Sequence, residues 1–251
     1  MKVFLTGASS GIGAAIAREY ARRGAQLGLF ARRAEPLAAL AASLAPATPA
    51  AYTGDVRDAS AVATAAADFT RRYGSADVVI ANAGISRGTL TDHPEDNQTF
   101  RAILDTNVVG MLHTFQPFLP AMREAHVGKL VGIASVAGFR GLPGAGAYCA
   151  SKAGAIRYLE SLRVETAGSG IDVITICPGY VATPMTEENP YRMPFLLSPD
   201  KAARLIVRAI ARGRRFYVLP WQMAWLGRFF SAVPRGLYDR AFAHAKRKPR
   251  G

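Results

Sequence analysis

The fold follows from residues 3 to 13, which read Val3-Phe4-Leu5-Thr6-Gly7-Ala8-Ser9-Ser10-Gly11-Ile12-Gly13. The apolar run Val3–Thr6 has the length and composition of a buried strand. Three glycines follow it at once, and the helical pattern Ile12–Arg23 opens among them. A strand that passes through a glycine-rich turn into a helix is the first half of a βαβ unit. The stretch therefore predicts an α/β fold.

The same alternation continues outward from this turn. The further strand candidates are Gln26–Ala31, Ala50–Thr53, Asp77–Ala81, Lys129–Ala134, Ile171–Ile176 and Phe216–Leu219. The further helical candidates are Glu35–Leu44, Ala59–Tyr73, Pro94–Arg123, Ala147–Ala167 and Pro199–Arg212. Uninterrupted apolar strands that alternate with helices are typical of a parallel sheet covered on both faces. The pattern predicts a Rossmann-type doubly wound sheet of about seven parallel strands, with helices on both faces, in one domain over residues 1–220.

The glycine-rich turn is the first candidate binding site. Its spacing is Gly-x-x-x-Gly-x-Gly, and it stands where a dinucleotide pyrophosphate needs a tight turn, close backbone approach and helix N-terminal amides. A plain structural turn is the alternative for the motif taken alone. The cofactor contacts predicted here are Gly7, Ser9, Ser10, Gly11, Ile12 and Gly13.

The second strand candidate ends in Arg32 and Arg33 and carries no acid. A NAD site usually places a carboxylate there to accept from the ribose 2′-hydroxyl. Two guanidiniums suit a 2′-phosphate instead, because they are permanently charged and donate in pairs. The residues therefore favour NADP(H) over NAD(H), the alternative being a solvated pair of arginines that opens the next helix.

A candidate catalytic set lies at Ser135, Tyr148 and Lys152. On a helix, Tyr148 and Lys152 stand at i and i+4 and share one face. A phenol has a pKa of about 10, which a nearby ammonium lowers, so the pair can protonate a carbonyl oxygen as hydride reaches its carbon. Tyr-x-x-x-Lys alone also occurs in helices that have no chemical function. The serine alone could be a hydroxyl that hydrogen-bonds backbone groups at the end of a strand.

Taken together, the ordered motifs resemble the short-chain dehydrogenase/reductase family in its single-domain branch, over about residues 1 to 200. The motifs are Thr6–Gly13, Asp55-Val56, Asn82-Ala83-Gly84, Asn107, Ser135, Tyr148-x-x-x-Lys152 and Pro178-Gly179 with Thr183. The resemblance implies an enzyme that transfers hydride between a nicotinamide cofactor and a carbonyl or alcohol. Ala81 departs from the pattern, since the family often has asparagine there.

The resemblance also implies roles for residues around the cofactor. Asp55 would accept from the adenine amino group, with the backbone of Val56 beside it. The run Asn82-Ala83-Gly84 would let the chain pass close to the adenosine ribose. Ser9 and Ser10 would join the two arginines around the 2′-phosphate.

Further roles follow at the nicotinamide end. The resemblance places Pro178, Gly179 and Thr183 against the nicotinamide carboxamide. Lys152 would bond the nicotinamide ribose, and Asn107 would hold a water that relays protons from Lys152 to solvent.

The composition limits the function classes. The formal net charge is +13, but residues 201–251 carry thirteen Lys/Arg against the single acid Asp239, whereas residues 1–200 have a net charge of +1. A nearly neutral body argues against nucleic acid as a partner. Cys149 and Cys177 form no C-x-x-C pair and the four histidines lack ligand spacing, so we predict neither a disulfide framework nor a metal site. No apolar run approaches the ~20 residues of a membrane span, and we expect a soluble cytoplasmic protein.

The segment 180–200 is where the family places a mobile lid over the substrate. It is rich in apolar residues, namely Met185, Tyr191, Met193, Phe195, Leu196 and Leu197. Four prolines interrupt it: Pro184, Pro190, Pro194 and Pro199. The apolar side chains would face an apolar portion of the substrate or pack on the core, and the sequence leaves both open.

Residues 221–251 form a C-terminal extension, here called the arm, predicted as amphipathic and helical. Trp221, Trp225 and Phe229 repeat at helical spacing and form an apolar stripe, with Leu226, Phe230 and Val233 beside them. Pro234 breaks the pattern, and a second amphipathic stretch presents Leu237, Tyr238, Ala241 and Phe242 before the basic run 246–250. Three interpretations remain open: packing on its own or a sister subunit, lying in a membrane interface, or gripping an acidic partner. Packing leads, because the aromatics repeat at helical spacing, and the basic end is expected to be disordered.

These observations predict an NADP(H)-preferring oxidoreductase that interconverts a carbonyl and an alcohol on a moderately apolar small molecule. A 3-oxoacyl-carrier-protein reductase is the alternative within enzymes, since a basic arm would attract an acidic carrier. A non-catalytic cofactor-sensing or membrane-associated protein on the same fold is the second alternative. The resemblance favours a homodimer or homotetramer, with peripheral membrane contact through the arm as a further option.

Overall fold

The computed structural model describes residues 1–187, 189, 191–245 and 247–250. In this part of the chain seven strands form one sheet: β1 (Lys2–Thr6), β2 (Gln26–Ala31), β3 (Ala50–Thr53), β4 (Val78–Ala81), β5 (Gly128–Ile133), β6 (Ile171–Pro178) and β7 (Phe216–Leu219). Their order is β3-β2-β1-β4-β5-β6-β7, and every neighbouring pair is parallel. The predicted doubly wound sheet is confirmed.

Helices cover both faces of this sheet. They are α1 (Gly11–Ala21), α2 (Ala34–Ser43), α3 (Ala59–Tyr73), α4 (Asp96–Leu104), α5 (Gly110–Phe115), α6 (Leu119–Glu124), α7 (Gly146–Glu165), α8 (Pro184–Glu187), α9 (Pro199–Ala211), α10 (Trp221–Ala232) and α11 (Arg235–Phe242). Side chains alternate along each strand, so Val3 and Leu5 of β1 join the core under α1, α2 and α9, while Phe4 joins the core under α3, α5 and α7.

The strand order reverses between β1 and β4 at the centre of the sheet. Because all strands run the same way, their carboxyl ends meet at one edge, and the loops that follow β1 and β4 diverge there. A crevice at this switch point is where doubly wound sheets bind ligands. The glycine-rich turn after β1 opens directly into it.

The predicted continuous helix Pro94–Arg123 is wrong. The segment divides into α4, a π-helical turn over Asp105–Val109, α5 and α6. Pro120 occupies the first turn of α6, where its missing N–H is tolerated, whereas inside a longer helix it would remove a hydrogen bond. The π turn carries the buried Asn107, whose side chain is held by the chain that follows β4. π-helical turns of this kind occur often at functional sites.

The arm packs on its own chain, but only part of the predicted stripe takes part, since Leu226 and Phe230 line a pocket while its three repeating aromatics do not pack inward. Trp221, Trp225 and Phe229 are 68%, 66% and 64% exposed. The opposite side of α10 meets the body: Met223 is buried against Gly179, and Gly227 lies so close to Phe139 that a Cβ would collide with the ring. Helical spacing correctly grouped Trp221, Trp225 and Phe229 on one face of α10, but the body is contacted by the face that carries Met223 and Gly227.

The basic end of the chain is ordered against the body in its described residues, which corrects the expectation of disorder. Gly88 N donates to Pro249 O at 2.9 Å, and the Arg250 guanidinium pairs with Glu95 at 2.6 Å and with Asp96 at 3.0 Å. Lys246 and Gly251 of the predicted arm, and Pro190 of the predicted lid, lie outside the described residues.

Candidate active site at the carboxyl ends of the strands

A cleft of about 280 Å³ lies at the carboxyl ends of the central strands. It brings together most of the residues predicted from the sequence: Gly7, Ser9, Ser10, Gly11, Ile12, Gly13, Arg32, Arg33, Val56, Asn82, Ala83, Gly84, Ser135, Tyr148, Lys152, Pro178, Gly179 and Thr183. Two predicted residues, Asp55 and Asn107, are not among those that line it. Further lining residues, including Ile85, Thr106 and Ile133, were not predicted, because they stand outside the sequence motifs.

The glycines of the first turn are required by close backbone approach. Gly7 has φ of +67°, and a Cβ there would come within 2.7 Å of Ala83 Cα. A Cβ on Gly13 would collide with the carbonyl oxygen of Gly7. The side chain of Asn82 closes this junction, since its Nδ2 donates to Thr6 O at 3.2 Å and to Gly7 O at 3.1 Å. The turn after β1 is therefore packed directly on the end of β4.

The N-terminus of α1 opens into the cleft without a side-chain cap. The N-cap residue Ser10 accepts no hydrogen bond from the first amides of the helix. Its hydroxyl accepts instead from the Arg33 guanidinium at 2.7 Å, and Ser9 Oγ accepts from the same nitrogen at 3.3 Å. Uncapped amides and a guanidinium at one mouth of the cleft suit phosphate groups.

Asp55 lies beside the cleft, bonded to a neighbouring arginine. Its carboxylate accepts from the Arg57 guanidinium at 2.7 Å and from Arg57 N at 2.9 Å, while Arg32 Nη1 lies 3.8 Å away. Burial raises the pKa of Asp55, but bonding to Arg57 outweighs it and the net pKa is lowered. The carboxylate is thus engaged with arginines beside the cleft wall formed by Gly54 and Val56.

Ser135, Tyr148 and Lys152 converge where β5 ends and α7 begins. Ser135 caps the 3₁₀ turn Val136–Gly138, and its Oγ accepts from Ala137 N at 3.1 Å. On α7, Lys152 Nζ lies 5.7 Å from the centre of the Tyr148 ring and donates to Ile133 O at 2.9 Å. The i, i+4 geometry inferred from the sequence therefore holds, and the ammonium is anchored on the last residue of β5.

The electrostatics of this set differ from the prediction. Burial raises the pKa of Tyr148 to about 12, and hydrogen bonding to Ser135 only partly opposes it. Burial lowers the pKa of Lys152 to about 8. The expected lowering of the Tyr148 pKa is absent here, because the loss of water around the phenolate outweighs the hydrogen bond with Ser135. At neutral pH the phenol holds its proton.

Asn107 stands behind the cleft and holds two elements together. Its Oδ1 accepts from Ile85 N at 2.8 Å, and its Nδ2 donates to Ile85 O at 3.0 Å and to Ser151 Oγ at 2.9 Å. Ser151 in turn donates to Tyr148 O at 2.7 Å. A Cβ on Gly84 would lie 3.2 Å from Asn107 Oδ1 and 3.6 Å from Lys152 Nζ, so a small space separates these two groups.

A second pocket of about 380 Å³ joins the cleft, and the two share Ser135, Tyr148, Gly179, Met185 and Thr186. Its other walls are largely apolar. They are formed by the segment after β5 (Val136, Phe139 and Leu142), by the lid (Tyr191 and Pro194) and by the arm (Met223, Leu226, Phe230, Tyr238 and Phe242). The two open interpretations of the lid are both met, because Met185 and Tyr191 face this pocket whereas Leu197 is buried in the core. The contribution of the arm was not predicted, since it depends on contacts distant in sequence.

Other binding chemistries find no support in the described residues. No group of three or more His, Cys, Asp or Glu side chains among them has the arrangement needed to hold a metal ion. Both cysteines are free thiols and buried. Within the same part of the chain, no helix combines the length and apolarity needed to cross a bilayer.

The family model for short chain dehydrogenases matches residues 1–193. An uncharacterised oxidoreductase of Myxococcus xanthus is 40% identical over 239 residues, covering 94% of each chain. The dehydrogenase/reductase SDR family member 7B of Bos taurus is 34% identical over 268 residues, with 99% of this chain and 82% of that protein covered. The crystal structure of a single-substitution variant of the actinorhodin polyketide ketoreductase with NADPH superposes with a TM-score of 0.79 at 28% identity, over 87% of this chain and 95% of the other.

These similarities show that the chain belongs to the short-chain dehydrogenase/reductase family and is an oxidoreductase. Membership implies the use of a nicotinamide cofactor and a small-molecule substrate. The geometry of the cleft fits such a cofactor. The glycines of the first turn have no side chains that would crowd the cleft, and the uncapped amides at the N-terminus of α1 open into it.

Proposed function

We propose that this protein is an NADP(H)-preferring reductase that interconverts a carbonyl and an alcohol on a moderately apolar small molecule. The observation that carries the proposal is the position of Ser135 and Tyr148, which line both the cleft and the apolar pocket. A carbonyl group of a substrate in the pocket would lie beside a hydroxyl donor and a phenol, at the boundary with the cofactor cleft.

In the proposed mechanism the nicotinamide cofactor supplies the hydride that reaches the carbonyl carbon. Ser135 donates a hydrogen bond to the carbonyl oxygen, on which negative charge develops. Tyr148 transfers its phenolic proton to that oxygen as general acid, so that the alcohol forms with atoms and charge balanced. Its raised pKa keeps the proton in place until the reaction demands it.

Lys152 and Asn107 serve the return of a proton to Tyr148. The Lys152 ammonium attracts the phenolate once it forms, and its pKa of about 8 allows it to pass a proton near neutral pH. Asn107 Oδ1 accepts one hydrogen bond, from Ile85 N, and has a second lone pair that can accept another. A water in the space beside Gly84 could donate to it and relay a proton. Asn107 and Ser151 also position the start of α7, on which both reacting side chains stand.

The preference for NADP(H) rests on Arg33 and Arg32. Arg33 already bonds both Ser9 and Ser10 at the mouth of the cleft, and Arg32 lines the same wall. We expect these four side chains to surround a 2′-phosphate. Asp55 and Val56 would meet the adenine, the run Asn82-Ala83-Gly84 the adenosine ribose, and Pro178, Gly179 and Thr183 the carboxamide.

The direct test is NADPH oxidation across a panel of aldehydes, ketones, steroids and acyl thioesters. We expect turnover with at least one apolar carbonyl compound, and a loss of at least about a thousandfold in Tyr148→Phe. Binding of NADPH to the variant, followed by fluorescence, separates lost chemistry from a lost cofactor site. Unchanged carbonyl reduction by Tyr148→Phe would refute the mechanism.

A 3-oxoacyl-carrier-protein reductase remains the second candidate, favoured by the basic arm beside the pocket mouth. An acidic carrier would be drawn to this surface, and the acyl thioester would enter the pocket. Comparing acyl-carrier thioesters with free ketones of equal chain length, at low and high salt, distinguishes the two. Carrier-specific turnover that falls steeply with salt would favour this second function.

We further propose residues 1–220 as the reductase domain and residues 221–251 as an extension that completes its substrate pocket, in a cytoplasmic homodimer or homotetramer. Exposed apolar side chains on α4 and α5, namely Phe100 and Leu112, support self-association. Sedimentation of wild type and Leu112→Glu tests it, with a smaller particle expected for the variant.

Peripheral membrane contact is proposed for the exposed aromatic stripe of α10. Tryptophan favours the membrane interface, and the basic residues of the arm would attract anionic lipid. Flotation with phosphatidylserine vesicles should recover the wild type, and the triple alanine variant of Trp221, Trp225 and Phe229 should stay at the bottom. Equal recovery of both proteins would exclude this role for the stripe.

A further inference from the structure

Residues 247–250 close one side of the apolar pocket and are here called the strap. Lys248 lines the pocket beside Tyr148, with its Nζ 5.9 Å from the centre of that ring. The other residues of the strap, Arg247, Pro249 and Arg250, are exposed. The strap therefore separates the pocket from solvent at this point.

Glycines of the body form the seat on which the strap lies. A Cβ on Gly88 would collide with the carbonyl oxygens of Lys248 and Pro249. A Cβ on Gly144 would come within 2.9 Å of Arg247 Cβ. Gly88 does not have a positive φ, so left-handed backbone does not account for this glycine, and the atoms closest to an added Cβ belong to the strap. The strap thus explains why position 88 carries no side chain.

The segments that carry these glycines also line the pocket. Ser86, shortly before Gly88, and Leu142, shortly before Gly144, are both lining residues. The two segments are joined to each other, since Thr89 N donates to Gly144 O at 3.0 Å. Release of the strap would therefore open the pocket across its seat, while the seat itself stays assembled.

Arg250 forms a latch between the strap and the body. Its guanidinium bonds Glu95 at 2.6 Å and Asp96 at 3.0 Å, and Pro249 O accepts from Gly88 N at 2.9 Å. The side chains of Arg250 and Glu95 are 33% and 63% exposed. Ion pairs in contact with water contribute little to stability and are screened by salt. The latch can therefore open locally without unfolding of the body.

We propose that the strap is a removable wall of the substrate pocket, held by the Arg250 latch, and that it limits the length of the substrate that the pocket admits. The inference rests on the proposed carbonyl reduction and names a determinant of its selectivity. While the strap is seated, an apolar carbonyl compound has to fit between Lys248, the lid and the helices of the arm. Once the strap is released, a longer chain can extend over Gly88 and Gly144.

The amide of Gly88 reports on the strap directly, because it donates to Pro249 O. The neighbouring amide of Thr89 donates to Gly144 O within the body and is the internal control. In Arg250→Gln we expect amide hydrogen exchange, followed by NMR, to accelerate at least about tenfold at Gly88 and less than about threefold at Thr89. Equal acceleration at both amides, or none at Gly88, would overturn the proposal.

Selectivity is measured as the ratio of kcat/KM for dodecanal to that for hexanal. It should rise at least about fivefold in Arg250→Gln and in Gly88→Ala, which blocks the seat from the body side, because further methylenes gain contact with the pocket walls. High salt should raise the wild-type ratio toward that of Arg250→Gln. Matched controls are Arg235→Gln, which removes an exposed cation of the arm, and Gly236→Ala, where a Cβ meets no described atom within 4 Å. A ratio that is unchanged in Arg250→Gln, or equally raised in the controls, refutes the strap.

Measurements without turnover separate the strap from the proposed function. Affinities of the NADPH-bound protein for hexanamide and dodecanamide, followed by cofactor fluorescence, give the same length ratio for carbonyl groups that the cofactor does not reduce. An affinity ratio that rises in Arg250→Gln supports the strap even where no aldehyde is reduced, a result that would count against the function alone. Reduction of both aldehydes with the same ratio in the wild type and Arg250→Gln counts against the strap and leaves the function intact.

Discussion

Lys152 Nζ lies 5.7 Å from the centre of the Tyr148 ring and donates its hydrogen bond to the carbonyl oxygen of Ile133, not to the phenol. Lys152 is buried and Tyr148 is partly buried, and the loss of water moves their pKa values in opposite directions, to about 8 for Lys152 and about 12 for Tyr148. Each group is thereby biased toward its uncharged form. The free protein thus stores a protonated phenol beside a readily deprotonated amine, which suits proton delivery to a carbonyl.

The lowered pKa of Lys152 predicts a specific pH dependence of stability. Between about pH 8 and the ordinary lysine value of 10.5, the unfolded chain binds the proton and the folded chain does not, so this group makes folding more favourable as pH rises. The gain is up to ~1.4 kcal/mol per pH unit.

The measurement is the free energy of unfolding of wild type and Lys152→Met between pH 7 and pH 10. Buried tyrosines and cysteines with raised pKa values act in the opposite sense at higher pH, and the difference between the two proteins largely cancels them. We expect the wild type to gain on the variant as pH rises. A constant difference would contradict the lowered pKa.

Arg33→Ala should weaken NADPH binding by about ten- to a hundredfold, because charge-assisted bonds to a phosphate would be lost. The affinity for NADH should change by less than about threefold. Arg32→Ala should show the same selectivity to a smaller degree, since Arg32 lies 3.8 Å from Asp55 and is partly engaged there. Titration followed by cofactor fluorescence measures the affinities of each variant for NADPH and for NADH. Arg101→Ala, which removes an exposed arginine elsewhere on the surface, serves as the control. Equal weakening of NADPH and NADH would exclude the phosphate role.

Gly13→Ala should destabilise the fold or displace the first turn, because the added Cβ collides with Gly7 O. We expect a loss of at least ~2 kcal/mol in unfolding free energy, or soluble protein without detectable NADPH binding. Gly236→Ala is the matched control, since a Cβ there meets nothing within 4 Å. That variant should be neutral or more stable by about a few tenths of a kcal/mol. A Gly13→Ala protein that binds NADPH normally would refute the close packing of the turn.

Phe230 and Phe229 are neighbours in sequence with opposite environments. Phe230 packs edge-to-face on Phe242 at 5.6 Å between ring centres and lines the pocket, whereas Phe229 is 64% exposed. Phe230→Ala should therefore cost about 1–3 kcal/mol of stability and Phe229→Ala less than about 0.5. Thermal unfolding of both variants checks the orientation of α10, and the reverse ranking would overturn it.

The order of strand, turn and helix patterns along the sequence was sufficient to predict the sheet and most residues of the cleft. The turn Gly7–Gly13 and the pair Tyr148 and Lys152 are local patterns, and local geometry places their side chains before any long-range contact is known. Residues after parallel strands must meet at one edge, so the strand-end positions of Asn82 and Ser135 were also accessible from sequence.

The tertiary structure alone decided what surrounds these patterns. Periodicity grouped Trp221, Trp225 and Phe229 correctly on one face, but the body selects the face with Gly227, where a missing Cβ lets Phe139 approach. Likewise the ionisable groups of Lys152 and Tyr148 were visible in the sequence, while the directions of their pKa shifts depend on how much water the fold removes. Lys248 reaches the pocket through contacts between segments that are far apart in the chain. Burial and long-range contact are sums over the whole fold, and no local pattern contains them.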